Sequence, residues 1–241
     1  MKIFRNIIAG ACLVTLGVVF YYAYIVLEAR AATPVIVREA LAADKMKLKV
    51  SDLSKWQLDA LLAVEDPAFY SHNGIDLQTK GAGLTTITQA LVKIFYFENF
   101  RPGIAKFRQS LIAKYALDPL VPKDDQLALF INYIYLGRAA GGPVYGFNNA
   151  AEAYFNKPFN KLKQDEYLSL VAMIIAPKNF GILSNPGANA ERTRRIKMLL
   201  AGRYRPVSLM DLYYGQLDEE TQKGLAPASY FPSIYGGEES K

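Results

Sequence analysis

The chain is poor in the residues that build metal and redox sites. It has one cysteine, Cys12, and one histidine, His72. A lone cysteine forms no intramolecular disulfide, and a single histidine far from it gives no Cys/His metal site. Cys12 lies in an apolar run with few apolar residues before it, which argues against a lipid-attachment cysteine. No alternating run long enough for a good β-strand occurs, and no internal repeat. Charged residues are only 21% of the chain against 51% hydrophobic, so the body has material for a real core. At 241 residues the chain holds one sizeable domain and an anchor, not two large enzymatic domains.

What is present begins with charge. The net charge is +6 and the pI about 9.2, which suits a surface facing phosphates. Nucleic acid, anionic lipid and a pyrophosphate substrate satisfy that balance equally, so placement of the charges decides. The N-terminus is short and basic (Lys2, Arg5) and is followed by an uncharged stretch from Ile7 to Leu27. A spanning helix needs roughly 20 apolar residues, and this run is longer than the core of a cleaved signal peptide. A cleavage-like Ala29-Arg30-Ala31 follows it, so a cleaved signal stays open as the alternative to a retained anchor. Tyr21, Tyr22 and Tyr24 sit where aromatic rings favour the membrane interface, and the basic N-terminus is expected on the cytoplasmic side.

The remainder reads as mostly helical. Ser54-Lys55-Trp56-Gln57 has capping-box spacing, with Leu58, Leu61 and Leu62 on one face until Asp66-Pro67 ends the helix. Thr85 is expected to cap a second helix with Ile87, Leu91 and Ile94 inward. After Pro102-Gly103 a third helix is expected to put Ile104, Phe107, Leu111 and Tyr115 on one side. Further helices are expected over 123–136, 147–155 and 163–176. The tail from about Leu217 is rich in Gly, Pro, Ser and acidic residues and is expected to be loosely ordered.

Two segments carry chemistry-bearing residues. Glu65 stands at the end of a helix, before a proline turn and near Phe69, where apolar neighbours would raise its pKa toward that of a general base. An exposed carboxylate before a turn is the plainer alternative. His72 taken alone reads as a hydrogen-bonded structural residue. On the next helix Thr86, Gln89 and Lys93 share a polar stripe at i, i+3, i+7, able to hold phosphate or sugar oxygens near a helix N-terminus. A solvated helix face is the alternative there.

Glu65-Asp66-x-x-Phe69-x-x-His72-x-Gly74 resembles the first signature of the family 51 glycosyltransferases, the transglycosylase domains of penicillin-binding proteins and their monofunctional relatives. Gly83-x-Thr85-Thr86-Ile87-x-Gln89-Ala90-x-x-Lys93 resembles the second, with Thr85 in place of serine and Ala90 in place of a second glutamine. Arg101, the stretch from Phe130-Ile131-Asn132 to Lys157, the run Leu168–Pro177 and Arg194-Arg195 resemble later motifs in order, so the resemblance covers about 34–200.

The resemblance implies a mostly α, lysozyme-like two-lobed domain over 34–205 behind a single transmembrane helix at 6–27. It implies a cytoplasmic tail at 1–5 and a partly disordered extension at 206–241. Its implied activity is polymerisation of lipid II on the outer face of the bacterial cytoplasmic membrane, with release of undecaprenyl pyrophosphate. Glu65 is then the base. Asp66, Phe69, His72, Thr85, Thr86, Gln89, Lys93, Arg101, Lys106, Ser110, Asn132, Arg194 and Arg195 are then the substrate- and pyrophosphate-binding positions. The implied partners are lipid II, the growing glycan strand, the membrane and penicillin-binding transpeptidases, not nucleic acid. Too little chain follows residue 205 for a penicillin-binding domain to be expected. No cofactor is expected to be required, although the family's donor site is compatible with Mg or Mn.

One departure is visible. The family's third motif, Arg-Lys-x-x-Glu, ends in a second glutamate. Counting forward from Lys93 puts Gln109 there, counting back from Asn132 puts Ser110 there, and starting from Arg108 puts Ile112 there. None is a carboxylate. Two alternatives to an active polymerase therefore stay open: a weak or silent relative that binds lipid II or glycan and organises cell-wall synthesis, and a lytic enzyme that uses Glu65 alone.

Overall fold

The computed structural model describes residues 2–101 and 103–215. It is mostly helical and starts with one very long helix, α1 (Lys2–Ala42). At 1.5 Å per residue that helix is about twice as long as a bilayer core is thick. It is long and apolar enough to cross a membrane, with a mean hydropathy of 2.0 in its most apolar window. Its two halves differ. Residues 4–20 are exposed all round, whereas Ile25, Ala29, Thr33, Val37 and Ala40 form a buried stripe against the body. The cleavage-like triplet lies inside this docked half. Ala29 is buried and the Arg30 guanidinium donates to the Tyr115 carbonyl. Helix α1 continues through Pro34 into the domain instead of ending near residue 27.

The body follows as α2 (Lys55–Glu65), α3 (Ile87–Tyr96), α4 (Ile104–Ile112), a π turn (Ala113–Leu117), α5 (Asp118–Leu120), α6 (Lys123–Tyr133), α7 (Phe147–Phe155), α8 (Gln164–Met173) and α9 (Pro186–Leu200). The Ser54 capping box forms as its spacing predicts. Ser54 Oγ accepts from Gln57 N at 3.2 Å, and Gln57 Oε1 accepts from Ser54 N at 2.8 Å. Helix α8 is the core of the domain. Tyr167, Leu168, Leu170, Val171, Ala172 and Met173 are all buried on it, and α2, α7 and α9 pack around it. Burying each such large side chain contributes roughly 1.5–3 kcal/mol.

A β-hairpin joins α6 to α7, formed by β1 (Tyr135–Ala139) and β2 (Gly142–Tyr145). Its strands, YLGRA and GPVY, lack alternation, so the pattern gave no strand signal. Two tight approaches hold it. A Cβ at Gly146, which has φ +77°, would lie 2.5 Å from the Asn132 carbonyl oxygen. Tyr154 Oη donates to the Leu136 carbonyl at 2.6 Å.

The apolar side of the third helix is largely exposed. Ile104, Phe107 and Tyr115 are 72%, 53% and 47% exposed. The buried face carries Gln109 and Ile112, then Ala113, Ala116 and Leu117 of the π turn. Periodicity finds an apolar face but not what covers it. Here α1 lies alongside, with Tyr22 edge-on to Phe107 at 4.8 Å between ring centroids. The π turn is wider than an α turn by one residue, which equals the mismatch between the forward and backward counts that gave Gln109 and Ser110.

Candidate active site

Helix α2 ends at Glu65, and the next residue decides where that end points. Asp66 is buried. Its Oδ2 accepts from the backbone N of Ile87, in the first turn of α3, at 2.9 Å. A carboxylate at a helix N-terminus is favoured by the unpaired backbone donors there. Both Asp66 oxygens also receive His72 Nε2, at 2.9 and 3.0 Å. His72 Nδ1 accepts from Gly74 N at 3.0 Å, so Nε2 is the nitrogen that donates to Asp66. Asp66 and His72 thus pin the end of α2 and its turn to α3. Their polar atoms are engaged with one another and with the backbone of Gly74 and Ile87, and Phe69 beside them is fully buried.

Glu65 itself is partly buried. Burial pushes its carboxyl up from the usual 4.5 to about 7, against the opposing charge of Arg192 and with help from Asp66. Burial and nearby charge, not hydrogen bonds, set its proton affinity. Arg192 is the functional neighbour that the motifs did not single out. It is buried, and it donates to the Ala172 carbonyl at 3.1 Å and the Leu212 carbonyl at 2.8 Å. Tyr214, pushed up to about 12 chiefly by burial, donates to the Val64 carbonyl at 3.3 Å. The segment 206–215 is thus part of the site's rear wall. Gly81 and Gly83 donate to its Ser208 and Leu209 carbonyls, both at 2.9 Å. The loosely ordered tail expected from about Leu217 lies outside the described residues.

The second cluster lies on α3 and α4. The helix cap is Thr86, not Thr85. Thr86 Oγ1 accepts from Gln89 N at 3.1 Å and Gln89 Oε1 accepts from Thr86 N at 3.0 Å. The Thr-x-x-Gln spacing that reads as a polar stripe is therefore a buried capping box. Gln89 keeps one outward function, since its Nε2 donates to Ser110 Oγ at 2.9 Å. Thr85, left exposed beside the cap, accepts from Lys106 Nζ at 2.8 Å. Burial and the charge of Lys93 push Lys106 down to about 8. Thr85, Gln89, Lys93, Lys106 and Ser110 thus form one polar group at the α3–α4 junction, with Lys93 and the following Arg101 exposed. Gln109 is buried beneath it, with Nε2 on the Gln89 carbonyl.

Three expected positions are engaged elsewhere. Asn132 accepts from Lys47 N and Leu48 N at 2.8 and 3.0 Å and donates to the Leu48 and Ala128 carbonyls. It ties α6 to the chain leaving α1. Arg194 and Arg195 both pair with Glu191 at 2.7 Å. Arg195 also donates to the Tyr213 and Gly215 carbonyls. The basic side chain that α9 sends toward Glu65 is Arg192 instead.

Fold and site define a class: a helical protein with a membrane-length N-terminal helix, a partly buried glutamate of raised proton affinity, and an ammonium-bearing helix junction joined to it through Asp66. The family model for transglycosylases matches residues 35–201, and the chain belongs to that family. Penicillin-binding protein 1A of Neisseria flavescens is 36% identical over 159 residues, 61% of this chain and 19% of that protein. Penicillin-binding protein 1B of Buchnera aphidicola is 33% identical over 153 residues, 58% of this chain and 20% of that protein. The matched region spans about a fifth of the length of these relatives.

Proposed function

We propose that this protein is a peptidoglycan glycosyltransferase that polymerises lipid II from the outer face of the cytoplasmic membrane. The observation that carries the reading is Glu65, a partly buried carboxyl with its pKa raised to about 7, next to Asp66, which is bonded to the first turn of the helix that carries Lys93. A general base works best when its pKa lies near the working pH. Glu65 takes the proton of the acceptor sugar hydroxyl, whose oxygen then bonds to the anomeric carbon of the donor. The bond from that carbon to the pyrophosphate breaks, and undecaprenyl pyrophosphate leaves with the electron pair. Lys93, Arg101 and Lys106 stabilise the charge that grows on it. Helix α1 keeps the site at the bilayer surface, where a lipid-tailed substrate is found. A penicillin-binding transpeptidase is a fitting partner, since a polymerised strand still needs crosslinking.

The test is polymerisation of labelled lipid II by the full chain and by Glu65→Gln. The amide accepts no proton, so polymer should vanish while the fold remains. Wild-type turnover by the variant would overturn the mechanism. A second reading, a weak or silent lipid II-binding relative, is favoured by the neutral Gln109 and Ser110 where the family carries its second glutamate. Lipid II binding without turnover by the wild type would establish it.

A further inference from the structure

The family resemblance places a carboxylate, and with it a place for a divalent cation, on the helix that is α4 here. The residues at that place do not fit a cation. Neither α3 (ITQALVKIFY) nor α4 (IAKFRQSLI) contains an acidic residue. Ser110 Oγ accepts from Gln89 Nε2 and donates to the Lys106 carbonyl at 3.0 Å, so its proton and one of its two lone pairs are engaged, and what remains is a single neutral oxygen lone pair. Gln109, the other candidate, is buried against the α3 backbone. Magnesium and manganese take hard, preferably anionic oxygen ligands, and two ammonium groups at the same junction repel them. Lys93 stands on α3, which packs against α4, and Lys106 on α4 reaches Thr85 beside the α3 cap; the charge of Lys93, after burial, helps depress the Lys106 pKa. An anion bridging them would relieve that repulsion.

We infer that the donor pyrophosphate is held directly by the Lys93–Lys106 ammonium pair with no divalent cation, the Gln89–Ser110 hydrogen bond closing the place of the family carboxylate. This rests on the reading of the chain as a binder of lipid-linked pyrophosphate. Thr85 keeps the Lys106 ammonium at the helix junction, and the capping box fixes Gln89, so the site is preorganised without a metal.

The experiment measures lipid II affinity of the full chain in detergent micelles, with EDTA and with magnesium, and polymerisation separately. Wild type is expected to bind equally in both, within about twofold, and Lys106→Gln to lose about tenfold or more in both. Ser110→Glu should bind about tenfold more weakly in EDTA and recover with magnesium, because the new carboxylate repels the pyrophosphate until a cation bridges them. Ser110→Ala, which removes the hydrogen bond without adding charge, should stay metal-independent and keeps the test decisive if the glutamate variant does not fold. Wild-type binding that collapses in EDTA overturns the inference, as does an absence of binding under both conditions. Metal-free binding without polymerisation supports it while overturning the enzyme reading.

Discussion

Replacing Glu65 by glutamine should make the protein more stable, and only above a certain pH. In the folded state the Glu65 carboxyl titrates at about 7 instead of the usual 4.5, so the native protein holds the proton more tightly than the unfolded chain. Stability therefore falls as pH rises from 4.5 to about 7, and the full penalty is present above that window. A tenfold change in proton affinity corresponds to about 1.4 kcal/mol, so the upper limit of the penalty is about 3 kcal/mol. Glutamine is uncharged throughout and of nearly the same shape, so it removes the penalty without opening a cavity. The expected gain of Glu65→Gln over wild type is about 1 kcal/mol at pH 5 and about 3 kcal/mol at pH 8. The assay is urea unfolding of both proteins in the same detergent at the two pH values. Trp56, the only tryptophan, is packed edge-on against Tyr167 at 5.9 Å and reports the loss of core packing. An equal gain at both pH values would refute the reasoning, because it would make the effect one of packing and not of proton linkage. A variant less stable than wild type at pH 8 would show that the carboxylate is held by favourable contacts.

Three further outcomes follow from the same structure. The pH profile of kcat/KM should rise through about 7 as Glu65 ionises and fall above about 8 as Lys106 loses its proton; Lys106→Arg should abolish the alkaline limb, since guanidinium stays charged. Asn132→Ala should destabilise by roughly 2–4 kcal/mol in urea unfolding, because it strands buried backbone groups of Lys47 and Leu48, while turnover per folded molecule stays near wild type. Deleting residues 2–20 should abolish membrane association in a flotation assay and leave the melting temperature of the body nearly unchanged. Deleting residues 2–40 also removes the buried stripe from Ile25 to Ala40 and should lower it strongly; equal melting temperatures for the two truncations would show that the docked half of α1 contributes nothing.

Local chemistry made much of this protein legible in the linear chain. An uncharged run from Ile7 to Leu27 sets a membrane-length helix, because lipid leaves no water for backbone groups. Ser54 and Gln57 form their capping box from spacing alone, and a glutamate before Asp66-Pro67 stands at a helix end because proline stops the helix. The tertiary structure decided matters of covering and company. The apolar face of α4 stays largely exposed with α1 beside it, and nothing within residues 104–115 encodes that neighbour. Thr86 and Gln89 read as a ligand-facing stripe or a solvated face with Thr85 as the cap, whereas the folded chain uses Thr86 and Gln89 themselves as a buried capping box. The Glu65 pKa depends on burial and on Arg192, which lies more than a hundred residues away along the chain. Spacing specifies what a few residues can do to one another, whereas desolvation and charge depend on which distant segments the fold brings against them.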